Sequence, residues 1–585
     1  MRDQKLRPAL RCAAALTALF AAAAPLAEQL APAARAPAAA AAAASTLPVL
    51  NDPETKLIQQ QFSSTAAALL TAPAAGASPA PIDPARAEAR FYAQRNYQPA
   101  WNDADNVRQL LANLDGIRAD GLDPADYQFD ALTKTAAALA TAGATPAQRA
   151  SFDLAATHAY ITALLQLRRG KVDPTKLDRQ WNFDPATVDP RQDLALIINA
   201  VNTHHISQAF EQAPPQNGVY GKMRDGLASL RAIQQQGGWP VIAEGPTLTP
   251  GTTDPRVAAL RARLLAGGYI APAAAASGTS YDATVRDAVK HFQAEQYLLA
   301  DGNVGKSTLA ALNVPVGARI DQVRVNLERA RWLLHSLQGT FVIVDIAGYK
   351  ISYYQNGQPV WRSRVQVGKP FRSTPVFQAK INYITFNPTW TVPPTIFNKD
   401  MLPKIRKNPG YLAANRIRVI NAKGEVIPAS SVDWSAPRGI MLRQDSGPDN
   451  SLGRVVIRFP NPYAVYLHDT PHKDLFSSDQ RATSSGCIRV ENPLELVRLL
   501  FNDPKKWSAA AINAKLTTIV TENVTLPAKV PLLLAYWTVD VTDDGRVTFK
   551  SDIYGHDAAL LKALNAPARV TASRVLAPPS INATL

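Results

Sequence analysis

A change of texture near residue 340 constrains this chain more than any other feature. Before it, apolar residues recur at helical spacing, as in Val107, Leu110, Leu111 and Leu114. After it come short β-forming runs at 341–346, 349–354, 360–367, 379–386, 454–459 and 464–467. The second and third flank Asn356-Gly357, and Asn-Gly between such runs is the strongest short-range hairpin signal. A chain of 585 residues also exceeds what one core supports. The sequence therefore predicts a multidomain α+β protein in which an all-α region precedes a mainly-β domain.

Residues 85–250 read as a helical scaffold domain. Its His158, His204 and His205 have no cluster of carboxylates or cysteines beside them, so solvated or core positions are expected. The next stretch, 254–313, holds two apolar stripes, Val257, Leu260, Leu264 and Val285, Val289, Phe292. Between and after them come Gly267-Gly268-Tyr269, Tyr281-Asp282 and Asp301-Gly302-Asn303-Val304-Gly305. That succession resembles the small three-helix peptidoglycan-binding module. A linker helix is expected over 314–338, a mainly-β domain over 339–525, and a C-terminal hairpin and helix over 526–585. Residues 394–450 read differently, with a helix-like run over 396–405, several turns and many basic and polar residues, and are expected to form an inserted capping element, a lid or binding device.

Arg2, Lys5, Arg7 and Arg11 flank the start of an apolar stretch rich in alanine and leucine. This predicts a signal peptide over 1–36, with membrane contact only through that signal or an uncleaved anchor. An Ala/Pro-rich linker is expected over 37–84, interrupted by a short helix near 57–70. The net charge of +15 suits an anionic partner such as a wall polymer or a membrane surface, with solubility alone as the alternative. Aromatic and basic residues do not interleave as in single-strand binders, so no nucleic-acid partner is expected.

Two cysteines are present, and Cys12 falls in the signal segment. Cys487 then has no intrachain disulfide partner, so it is either a buried small hydrophobe or a reactive thiol. Its setting, Ser484-Ser485-Gly486-Cys487-Ile488-Arg489, favours the thiol, because small residues let backbone amides approach a substrate. His468 lies upstream in Tyr466-Leu467-His468-Asp469-Thr470. A free thiol, with a pKa of about 8.5, is only slightly ionised at neutral pH. An imidazole that accepts its proton removes that limit, and can later return the proton to a leaving amine. A backbone carbonyl from Asp469 or Thr470 is expected to fix the imidazole tautomer, and the consecutive amides of Gly486 and Cys487 to donate to an oxyanion. His468 and His472 are four apart, but Pro471 breaks the helix that would align them on zinc. No metal or cofactor is expected.

With the β domain around it, the pattern His468 … Ser484-Ser485-Gly486-Cys487-Ile488-Arg489 resembles the catalytic motif of the L,D-transpeptidases, the YkuD-type family. Val367-Gly368-Lys369-Pro370 and Ser373-Thr374-Pro375 look like the strand and loop that precede that motif. Many members carry a second histidine where Ser485 stands. The Ser-Ser version, the stretch around Trp390, and the order of scaffold, binding module and catalytic domain resemble the large YcbB-like branch. The resemblance implies Cys487 as nucleophile and His468 as proton donor and acceptor. Arg489, Ser485, Tyr466 and Trp390 are its candidate substrate contacts, with loop ordering the alternative for Arg489 and core packing for the two aromatics. It further implies peptidoglycan tetrapeptide stems as donor and acceptor, 3→3 cross-links between diaminopimelates, and acylation of Cys487 by carbapenems. A Gram-negative periplasm and other wall-synthesis enzymes as partners belong to the same expectation. An L,D-carboxypeptidase, attachment of another amine to the stem, and an inactive wall-binding scaffold are the alternatives.

Overall fold

The computed structural model describes residues 52–63 and 84–567, apart from 142, 179–180, 184–189, 273–277, 338 and 543–544. The signal peptide expected over 1–36, most of the 37–84 linker and the last residues of the C-terminal segment lie outside the described residues. No helix among the described residues is long and apolar enough to cross a membrane.

The scaffold is helical, and its longest helix, Pro146–Arg169, starts with a reciprocal capping box between Thr145 and Gln148. It stops at Gly170, where φ is 91°. A Cβ at that glycine would collide with Trp332 and Glu328, so both the turn and the close approach require glycine. Helix Pro53–Ser63 corrects the linker reading of its stretch. Ile58 and Phe62, one turn apart, are buried in the scaffold core, and that apolar pair is enough to dock the helix.

The helix expected over 314–338 is present, and only its reading as a linker is corrected. Helix Val316–Leu333 is a core element. Glu328 and Arg331 pair on it with both side chains fully buried. Glu328 accepts from the Val172 amide at 2.6 Å, and Arg331 donates to the Asp120 carbonyl at 2.8 Å. Those bonds join the scaffold to this helix. The binding module has the three helices Arg256–Ala266, Ala283–Glu295 and Lys306–Leu312, packed around Leu260, Val289 and Phe292.

The β domain comprises β1 (Phe341–Asp345), β2 (Lys350–Gln355), β3 (Gln358–Gly368), β4 (Phe377–Phe386), β5 (Trp390–Thr391), β6 (Ile417–Asn421), β7 (Val426–Ile427), β8 (Ile440–Gln444), β9 (Val455–Arg458), β10 (Leu467–His468), β11 (Ala482–Ser484), β12 (Ile488–Val490) and β13 (Glu522–Ala535). The main sheet runs β11-β3-β12-β10-β9-β4-β13-β1-β2, and β2 also pairs with β3. That extra pairing closes eight strands into a barrel and removes the free edges, leaving β11 as a flap on β3. The β2–β3 hairpin turns at Asn356 and Gly357, both with positive φ (52° and 76°), as a tight two-residue turn of this type demands.

The boundary at 525 is corrected as well, because β13 runs through it to Ala535 and pairs with both β4 and β1. Pro527 and Pro531 masked that strand in the sequence, since proline reads as a strand breaker. A register shift between Thr525 and Val530 absorbs the disruption. The inserted element has its own four-stranded sheet, β5-β8-β6-β7, over a small core of Met401, Ile405, Leu412, Val419 and Leu442.

The tail forms a hairpin of β14 (Val539–Val541) and β15 (Val547–Phe549), then helix His556–Asn565. Lys550, with its side chain 1% exposed, lies 2.6 Å from Asp345 at the end of β1 and 3.7 Å from Asp540. Removing one member of a buried pair strands the other's charge. Lys550→Met should therefore cost about 3 kcal/mol of stability, readable as a lowered midpoint in thermal unfolding. An unchanged midpoint would show that these charges do not hold the hairpin to the barrel.

Candidate active site

β10 and β12 lie side by side and parallel, with Leu467 in register with Ile488 and His468 with Arg489. Leu467 and Ile488 are fully buried in the barrel core. Strand alternation then turns Tyr466, His468, Cys487 and Arg489 together onto the other face. The turn before Cys487 is tight: Gly486 has φ 114°, and Ser484 Oγ donates to the Cys487 carbonyl at 2.6 Å. The same hydroxyl accepts from the Gly486 amide at 3.1 Å. Oxyanion donation expected of Gly486 is thereby corrected, because its N–H is spent on closing this turn. Among the described residues the Cys487 amide has no such partner.

His468 is 4% exposed, and its Nδ1 lies 2.5 Å from the Asp469 carbonyl oxygen. The carbonyl can only accept, which assigns the proton to Nδ1 and leaves Nε2 basic. Asp469 is itself anchored: its carboxylate accepts from the Arg454 amide at 2.9 Å and from Lys473 Nζ at 2.6 Å. Burial, reinforced by the Arg489 charge, holds the His468 pKa down to about 3, against the pull of the Asp469 and Leu452 carbonyls. The ring is neutral throughout the physiological range.

Cys487 is partly exposed, and its Sγ lies 3.8 Å from the Ala464 carbonyl. Burial of the sulfur raises the thiol pKa, while the Tyr466 amide and hydroxyl and the charges of Arg458 and Arg489 pull it back. No hydrogen bond joins Sγ to the imidazole. The resting pair is a thiol beside a neutral ring, held on adjacent strands.

Tyr466 is the side chain that meets the sulfur. Its hydroxyl faces Cys487 and Trp390, and its ring sits 5.6 Å from the His468 ring. Arg458 lies over the Tyr466 ring at 4.7 Å. Trp390 opens β5, so it brings the root of the insertion to the site. Arg489 donates to Gln366 on β3 at 3.1 Å, a bond that orders the strand as well as placing positive charge near the thiol. Ser485 is exposed and accepts from Arg372 at 2.9 Å, and Arg372 also binds Asp400 of the insertion at 2.6 Å. His472 lies in the loop after Pro471, just before the short 3-10 helix Asp474–Ser477.

Sequence reasoning missed two braces. Thr374 Oγ1 donates to the Gly486 carbonyl at 2.9 Å and accepts from the Gly368 amide at 2.9 Å. The Tyr554 hydroxyl donates to the Gly368 carbonyl at 2.7 Å and accepts from the Thr374 amide at 3.2 Å. Ser373-Thr374-Pro375 carries a signal for the first brace. Nothing local marks Tyr554, which reaches the loop from the C-terminal segment.

Tyr466→Phe removes a donor that favours the thiolate. The midpoint of the pH–rate profile for alkylation of Cys487 by iodoacetamide should then move up by about half to one pH unit. An unmoved midpoint would mean that the hydroxyl does not act on the sulfur.

Residues 86–227 match the family described as "Scaffold domain", and 253–312 the "Putative peptidoglycan binding domain". Residues 339–502 match the "L,D-transpeptidase catalytic domain". A curated protein of Haemophilus influenzae named "Putative L,D-transpeptidase" is 33% identical over 239 residues, which cover 40% of this chain and 48% of that relative. The chain thus spans about half the length of the relative it matches. An L,D-transpeptidase structure from Xylanimonas cellulosilytica aligns at 17% identity over 50% of this chain and 99% of its own, with a TM-score of 0.16. One from Stackebrandtia nassauensis aligns at 14% over 51% and 96%, with a TM-score of 0.21. Overlays that loose carry no weight, whereas the three family matches fall in order on the three regions of the fold. The chain carries an L,D-transpeptidase catalytic domain of the YkuD type behind a scaffold domain and a peptidoglycan-binding domain, an order similar to that of the YcbB-like branch.

Proposed function

We propose that this protein forms 3→3 cross-links between diaminopimelate residues of peptidoglycan stems through a thioester on Cys487. The observation that supports it most is the shared face of β10 and β12, which presents a thiol, a tautomer-fixed imidazole and the Arg489 charge together, with Arg458 of the neighbouring β9 close by. In the first step Sγ attacks the carbonyl between diaminopimelate and D-alanine of a tetrapeptide, and its proton passes to Nε2 of His468. The C–N bond breaks, His468 returns the proton to the leaving amine, and D-alanine departs. In the second step a diaminopimelate side-chain amine attacks the thioester and loses a proton to His468. The C–S bond breaks and the thiol is restored. The Cys487 amide is the backbone donor for the oxyanion, a contribution typically worth ~2.7–4 kcal/mol in the transition state.

The neutral resting pair suits this chemistry. The thiol keeps its proton until a substrate carbonyl and its oxyanion donor are in place, which limits idle oxidation and alkylation. The insertion, tied down through Trp390 and through Arg372–Asp400, covers the donor and limits water. The signal-like start and basic charge of the sequence, with the diaminopimelate substrate of this reading, support a Gram-negative periplasm as the location and tetrapeptide stems as both partners.

Purified disaccharide tetrapeptide should give D-alanine and a 3→3 dimer by mass spectrometry, and Cys487→Ala should lose both by at least about a thousandfold. Full cross-linking by that variant would overturn the nucleophile assignment, and tripeptide without dimer would make the enzyme a carboxypeptidase. Arg372→Ala, which frees the insertion from the Ser485 turn, should raise the share of tripeptide over dimer by roughly tenfold. An unchanged ratio would contradict a water-excluding role for the insertion.

A further inference from the structure

We propose that a cavity of about 340 Å³ between the scaffold helix Gly218–Gln235, the binding module and the C-terminal hairpin is a site for a carboxylate with a small apolar body. The thiol site contributes none of its lining residues, so the inference stands apart from the reaction proposed above.

Trp239, Arg263, Tyr269, Phe292, Arg319 and Arg546 supply its chemistry. Arg263 is 4% exposed and its guanidinium lies 3.9 Å over the Trp239 ring. Its Nε donates to the Leu312 carbonyl at 2.9 Å, while its buried Nη1 has no hydrogen-bond partner among the described residues. Arg319 is 8% exposed, stacks 4.3 Å over Phe549, and donates only to the neutral side chains of Gln322 and Gln296. Each guanidinium therefore rests on an aromatic face and a neutral acceptor, with no carboxylate among the described residues opposite it. The nearby acid, Glu295, is already engaged by Arg546 at 2.8 Å, Tyr269 at 2.8 Å and His291 at 3.0 Å. Asp225 lines the cavity from an exposed position.

Burial lowers the pKa of Arg263 and of Arg319 to about 10, so both stay charged at neutral pH. Two buried like charges without a counter-ion are costly unless an anion joins them. A planar carboxylate matches the planar guanidinium fork, and the aromatic walls suit an apolar body. Three separate segments enclose the cavity. A ligand there binds only the assembled form and so stabilises it by mass action.

The test uses the full-length protein and calorimetric titration with N-acetyl-D-alanine, with N-acetyl-D-alaninamide and inorganic phosphate as comparisons. Saturable one-to-one binding of the acid, absent for the amide, is expected, together with a rise in thermal midpoint. Arg263→Met keeps the stem on Trp239 and should weaken binding by at least about tenfold, as should Arg319→Gln should the first variant fail to fold. His468→Ala should bind as the parent does, which separates this site from the thiol cleft. A D-alanine-terminated muropeptide that binds more tightly than N-acetyl-D-alanine identifies a wall peptide end as the source, and equal affinity identifies a free small acid. No saturable binding at millimolar acid, equal binding by the amide, phosphate binding alone, or full affinity in both arginine variants would overturn the proposal.

Discussion

The parallel pairing of β10 with β12 is the contact on which the site depends. Only two residue pairs make it, Leu467 with Ile488 and His468 with Arg489, yet they decide which side chains share a face. A slip of one residue would turn His468 into the apolar core and Leu467 toward the thiol. Closure of the barrel prevents that slip, because β9 holds β10 from one side and β3 holds β12 from the other. The apolar core and the catalytic face are two sides of the same strands.

Around that pairing the protein has built supports from distant parts of the chain. The insertion reaches the site through Trp390 and Asp400, and the C-terminal segment reaches it through Tyr554 and Thr374. The domain boundaries drawn by family likeness end at residue 502, but β13 and the tail beyond it complete the barrel and brace the nucleophile turn. Electrostatics there favour neutrality at rest. Burial pushes the thiol and the imidazole toward their uncharged forms, and nearby arginines offset this only for a thiolate. Charge separation therefore waits for substrate.

Much of this was legible before any coordinates. The hairpin at Asn356-Gly357, the alternating runs, the binding module and the residues His468 and Cys487 all carry local signals, since turn chemistry and periodicity act over a few residues. What escaped notice was set by long-range packing. Pro527 and Pro531 disguised β13, and the short helix expected near 57–70 starts earlier, at Pro53, with a docking on the scaffold core that its Ala/Pro-rich flanks did not suggest. The Gly486 amide was misassigned because the sequence shows two serines beside it but not that Ser484 turns its hydroxyl back on the turn. Tyr554 could not be found, as its role exists only once the tail has folded over the loop at Gly368.

Trapping the acyl-enzyme tests the central claim most directly. Brief incubation with tetrapeptide, followed by intact-mass and peptide mass spectrometry, should show one tripeptide acyl group on Cys487, formed with release of D-alanine and strongly reduced in His468→Ala. Turnover to cross-linked product with no adduct at Cys487, or an adduct that forms equally fast without the imidazole, would contradict it.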